Sequence, residues 1–91
     1  MDSEVKHVLY RAFRPKSHLY FDIAYGPDNG LAFIAQTLDD LVHHIAYYWW
    51  RCDAQLEVST DDGLTWSIAD NDLQLRFTKM LDIEFIQYEV H

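Results

Sequence analysis

Between Ser17 and Tyr25 every second residue is apolar: Leu19, Phe21, Ile23 and Tyr25 fall on one side, His18, Tyr20, Asp22 and Ala24 on the other. A period of two marks a strand with one face buried. The preceding stretch, Val5 to Arg14, alternates more loosely but is rich in Val, Leu, Tyr and Phe and stops at Pro15, so it predicts another strand. Gly26 to Gly30 reads GPDNG, with a proline to set one φ and Asn-Gly to allow a positive one. The chain then returns over Leu31–Ala35 as a third strand. These three segments predict an antiparallel meander.

The period changes at Thr37. The stretch TLDD places a cap residue three positions before an acid, and acids suit the positive end of a helix dipole. Leu38, Leu41, Val42, Ile45, Ala46 and Trp49 follow at spacings of three and four, an apolar stripe on a helix from about Leu38 to Arg51. At about 100° per residue, Trp49 lies in that stripe and Tyr48 on its edge. Asp39, His43, Tyr47 and Trp50 point away from it.

Past the helix the period of two resumes. Ala54–Ser59 sets Leu56 and Val58 against Gln55, Glu57 and Ser59, and the turn Asp61-Asp62-Gly63 reverses into Leu64, Trp66 and Ile68. Ala69 to Asp72 is a further turn. From there Leu73, Leu75, Phe77, Leu81, Ile83 and Phe85 occupy odd positions, which favours one or two more strands, with a helix over Leu73–Met80 as the alternative. The parity shifts to Ile86, Tyr88 and Val90, as at a bulge or a new segment. The expected architecture is a single α+β domain spanning residues 1–91: an antiparallel sheet of five to seven strands in the order βββαβββ, with one amphipathic helix on one face. One helix covers only part of such a sheet, leaving Tyr10, Tyr20 and Tyr88 on a surface that is partly exposed.

Charge narrows the partners. The chain of 91 residues has a net charge of −8. Residues 1–52 carry six acids and five bases, residues 53–91 nine acids and two bases, so the second half holds the negative field. Such a field repels phosphate backbones, which makes direct nucleic-acid binding unfavourable, and it accelerates encounter with a basic protein. The single cysteine, Cys52, allows no internal disulfide and reads as a small residue at a helix end. No stretch has the apolar length of a signal core or a membrane span, so a cytoplasmic protein is expected.

Motifs of chemistry are few. Ser59, Asp61, Gly63, Thr65 and Trp66 within STDDGLTW resemble the Asp-box, S-x-D-x-G-x-T-W, a hairpin motif of sialidases and related propellers that also occurs singly in other folds. The resemblance covers eight residues and implies a hairpin whose turn bonds to itself, remote from catalysis. Asp70-Asn71-Asp72 with Asp61 and Asp62 lacks the spacing of an EF-hand loop, so no metal is expected. His43 and His44 diverge by about 100° and cannot chelate as an i, i+4 pair would. His7, His18 and His91 have no ligand spacing with them. With no phosphate loop and no nucleophile elbow, neither an enzyme nor a cofactor is expected; an active site would need a pocket holding His18, His43 or Tyr20 with a carboxylate.

The outward helix face, Asp39, His43, Tyr47 and Trp50, is the strongest binding signal, because Tyr and Trp give large contact area at low entropic cost. With Asp61, Asp62, Asp70 and Asp72 as steering charges, it suggests a non-enzymatic module that binds and blocks a basic, nucleic-acid-handling protein. In size and charge the chain is similar to small acidic inhibitors such as immunity proteins against nuclease toxins and phage-encoded inhibitors of CRISPR or restriction systems. The competing expectations are a homodimer or assembly subunit that buries this face between copies and, behind it, a small enzyme or ligand-binding domain.

Overall fold

The computed structural model describes residues 7–22, 32–49 and 51–89. Among them, β1 (Leu9–Phe13), β2 (Gln55–Ser59) and β3 (Ser67–Ile68) form one antiparallel sheet in the order β1-β2-β3. Two helices accompany it, α1 (Leu38–Tyr48) and α2 (Asn71–Glu89). The class is α+β, but the expected sheet of five to seven strands with one helix is overturned.

The expected second and third strands do not form ladders within the described residues. Tyr20 bridges Phe13, Asp22 bridges Ala32, and Ala35 bridges Tyr10, each singly. The cause lies in how the free edge of β1 is shared. The Phe21 N–H bonds the Ala12 carbonyl at 3.0 Å, while Tyr10 and Ala35 exchange two bonds of 2.9 Å. Two segments dividing five residues leave neither with consecutive rungs. The expected residues 23–25, the turn Gly26 to Gly30 and Leu31 lie outside the described residues.

The larger correction is α2, a 19-residue helix where strands were expected. Leu73, Phe77, Leu81 and Phe85 are odd-numbered, as a strand requires, but they are also spaced by four, as one helix face requires. The structure follows the second spacing: Phe77, Leu81 and Phe85 are buried, with Leu73, Met80 and Tyr88 packed against the same core, while Leu75 and Ile83 stand out in solvent. Asp70 caps the helix, its Oδ1 accepting the Leu73 N–H at 2.8 Å. Tyr88 therefore belongs to a helix and not to a sheet surface.

Gln74, on the first turns of α2, joins helix to sheet. Its Oε1 accepts the Leu56 N–H at 2.9 Å, and its Nε2 donates to the Ala54 carbonyl at 3.0 Å. Since β3 is two residues long, the amide takes over the pairing of β2 where β3 stops. This satisfies backbone groups that packing α2 over them would otherwise strand.

Alternation divides the sheet faces. Ala12 opposite Leu56 and Tyr10 opposite Val58 face the core, with both helices on that side. Arg11 opposite Glu57 lies on the other face, where the guanidinium is 4.4 Å from the Tyr20 ring and 4.2 Å from the Trp66 ring. Glu57 Oε1 accepts from Arg11 Nε and from the Tyr20 hydroxyl, both at 2.8 Å. Burial, then this bond to Glu57, pushes the Tyr20 phenol up.

Candidate functional site

Helix α1 starts with Thr37, whose hydroxyl accepts the Asp40 N–H at 3.1 Å, and it buries Leu41, Val42, Ile45 and Ala46, the expected stripe. It ends at Tyr48, short of the expected Arg51. Trp49 leaves helical geometry (φ −124, ψ 146) and sets its ring edge-on to Phe21, centroids 5.1 Å apart. Burying that indole outweighs another turn of helix, for which aromatic residues have only modest propensity.

The two histidines part company. His44 is buried, stacked on Phe33 at 3.8 Å with the rings 3° from parallel, and its Nε2 lies 2.7 Å from the Asp22 carbonyl. A carbonyl only accepts, so Nε2 carries the proton. Burial, the larger influence, pulls the His44 pKa down and favours the neutral ring. The apolar stripe does not include His44, which lies about 60° from Leu41 on the helical wheel; that place next to the stripe's edge is the signal the sequence offers.

His43 is exposed and faces α2, its Nδ1 3.1 Å from the Tyr88 hydroxyl and 3.5 Å from Glu84 Oε2. A strand pattern over residues 73–91 gives Glu84 no role and puts Tyr88 on a sheet surface; the spacing of four from Leu73 to Phe85 is the signal that sets both on a helix beside His43. Partial desolvation, then the Glu84 carboxylate, pushes the Tyr88 phenol up. Tyr47 lies beyond, 63% exposed, 6.1 Å from the Tyr88 ring and edge-on to Tyr48 at 4.8 Å. Trp50, the fourth member of the expected face, lies outside the described residues.

Two open clefts flank this face. The larger, about 740 Å³, runs between α1 and residues 33–36, with Phe33, Gln36, Asp40, His44, Tyr47 and Tyr48 among its walls. The smaller, about 430 Å³, lies between α1 and α2, with Asp39, Asp40, Met80, Ile83 and Glu84 around it. His43 and Asp40 border both. Asp39, His43 and Tyr47 are thus brought onto one surface.

The acidic turn residues are placed elsewhere, each in local structure. Asp61 accepts the Thr65 N–H at 2.9 Å, the Thr65 hydroxyl at 2.6 Å and the Ser59 hydroxyl at 2.7 Å. The Thr65 bonds hold its carboxyl down at about 2. Gly63 takes φ +90 and donates its N–H to the Ser59 hydroxyl at 2.8 Å, while the Trp66 indole donates to the Gly63 carbonyl at 3.1 Å. Asp62, at φ 61, accepts the His7 N–H at 2.7 Å. Asp70 is the α2 cap and Asp72 lies in its first turn. Asp72 and Glu84 are twelve residues apart on one helix, about 18 Å along its axis. The carboxylates at the start of α2 and the aromatic surface near its end are therefore separate regions.

Other expectations find their places. Cys52 follows α1, half-buried against the core, and burial pushes its thiol up, away from reactivity. Among the described residues no group of three or more His, Cys, Asp or Glu is arranged to hold a metal ion. Nor is any helix among them long and apolar enough to cross a membrane. A cleft does hold His43 with a carboxylate, Asp40, although the histidine ring engages Tyr88 and Glu84. Set beside known protein families, curated proteins and solved structures, the chain finds no match in any of the three.

Proposed function

We propose that this chain is a non-enzymatic, cytoplasmic protein-binding module that docks on a basic, nucleic-acid-handling protein and blocks it. The observation that carries this reading is the outer face of α1, where Tyr47 stands 63% exposed near His43, with Asp39 and Asp40 two turns earlier on the same helix and a cleft on either side. An exposed ring among carboxylates suits a basic protein surface: the ring contributes contact area and the acids contribute steering and discrimination. The net charge of −8 works against direct binding of nucleic acid.

The test is capture followed by inhibition. Immobilised chain at low salt is offered nucleases and nucleic-acid-binding proteins that heparin retains, and any protein held is assayed for loss of its activity. Retention that weakens with salt and disappears in Tyr47→Ala supports the function; failure to hold or inhibit any such protein defeats it.

A specific feature favours self-association as the second reading. Leu75, Ile83 and Ile86 are 55%, 57% and 49% exposed on the solvent side of α2, within about 80° of one another around the helix. Sedimentation separates the readings, since a stable homodimer abolished by Ile83→Lys would favour the second and a monomer the first.

A further inference from the structure

The larger cleft is lined by four aromatic side chains, Phe33, His44, Tyr47 and Tyr48, beside His43, and by one carboxylate, Asp40; among the described residues no lysine or arginine lines it. Phe33 and His44 stack at 3.8 Å, the His44 ring is 4.8 Å from Tyr48, and Tyr48 is 4.8 Å from Tyr47, so the wall is a continuous run of π systems from the core to solvent. Ring faces are the negative side of an aromatic quadrupole and attract cations, most of all planar ones that can stack. The protein already holds one such cation elsewhere. Arg11 lies between Tyr20 and Trp66 at 4.4 and 4.2 Å, with Glu57 2.8 Å from its Nε. Two rings and a carboxylate make that seat, and Tyr47, Tyr48 and Asp40 place the same kinds of group along the cleft, the carboxylate about two turns of α1 before the rings, without an arginine of their own.

We propose that this cleft seats an arginine side chain of the partner protein, its guanidinium stacked on the exposed Tyr47 ring, with Tyr48 at its edge, and paired with Asp40. The inference rests on the protein-binding function above and names its anchor. Arginine is favoured over lysine because the guanidinium is planar, donates in a fork and is weakly hydrated, whereas an ammonium is a compact, strongly hydrated point charge. At about 740 Å³ the cleft has room for the whole side chain, and its open form admits a residue borne on a protein surface.

The experiment titrates isotope-labelled full-length chain with N-acetyl-arginine amide, N-acetyl-lysine amide and adenosine, following backbone amide signals by NMR. The arginine probe is expected to move Asp40, Tyr47 and Tyr48 saturably and to bind about three- to fivefold more tightly than the lysine probe. Asp40→Asn and Tyr47→Leu should each remove that preference, while Asp72→Asn should leave it intact. If Tyr47→Leu fails to fold, Asp40→Asn decides, because Thr37 bonds the backbone of that residue and not its carboxylate. Equal affinity for the two cations, tighter binding of adenosine, or shifts scattered over the acids of α2 would overturn the inference. These titrations need no partner, so the two proposals fail separately. A basic protein bound through Tyr47 without arginine preference removes the anchor and keeps the function; arginine selectivity in a chain that blocks no basic protein does the reverse.

Discussion

Asp61 commits both carboxylate oxygens to its own turn, and that has a consequence in acid. Its folded pKa of about 2 lies below the ordinary 3.8, so the folded state binds its proton less readily than the unfolded chain. The stability this adds is fully present above pH 3.8 and is lost as pH falls toward 2. Urea midpoints measured between pH 4 and 2 should drop in the native chain and drop less in Asp61→Asn, which starts lower. His44 acts in a different window. Its folded pKa is depressed below 6.5, so the unfolded chain takes up the proton first, and stability declines as pH falls through and below 6.5. In His44→Gln the decline between pH 7.5 and 5.5 should flatten, as chemical denaturation at the two pH values would show. The same two residues mark how far composition alone reaches. Composition makes Asp61 a steering charge, because an acid in a turn is usually solvated; the motif resemblance implies a self-bonded turn, and the structure supplies the partners, Ser59 and Thr65.

Helix α2 shows where periodicity misleads. Positions 73, 77, 81 and 85 satisfy a period of two and a spacing of four together, and the apolar but exposed Leu75 and Ile83 make the pattern resemble a strand. Exposure separates the cases, and so does mutation. Leu75→Lys should alter stability by less than about 0.5 kcal/mol, whereas Phe77→Ala, at a fully buried site, should cost about 3–5 kcal/mol. A continuous strand would have made the two comparably severe. Around α1, by contrast, the cap, the stripe from Leu41 to Ala46 and the exposure of Asp39, His43 and Tyr47 were legible, because a core on one side and solvent on the other enforce a single period; the helix end at Tyr48 was not. The other exception was His44, whose ring behaves there as a flat apolar body with one donor. Gln74 left no trace in any pattern, since its role depends on β3 ending after two residues. Gln74→Ala should cost about 1–3 kcal/mol, since it leaves the Leu56 N–H and the Ala54 carbonyl without this partner. Thermal melts would measure it, and Gln74→Glu, which keeps the acceptor and loses the donor, should fall between.

Across the molecule, the separation of the α2 acids from the aromatic surface assigns kinetics to different places. On the proposed function, an exposed carboxylate at the start of α2 such as Asp72 would act at a distance and govern encounter, and Tyr47 would act on contact and govern release. For a basic partner, association should slow by about tenfold or more from low to high salt. Asp72→Asn should slow it at low salt, while Tyr47→Ala should speed dissociation and leave association unchanged. Stopped-flow mixing resolves both rates. The amide of Gln74 also bears on how the protein behaves in a crowded solution. By occupying the rung of β2 beyond β3, it denies that margin of the sheet to any invading strand. Removing it would open a template for growth, so the variant's first symptom on concentration would be turbidity and fibrils, ahead of any loss of helix.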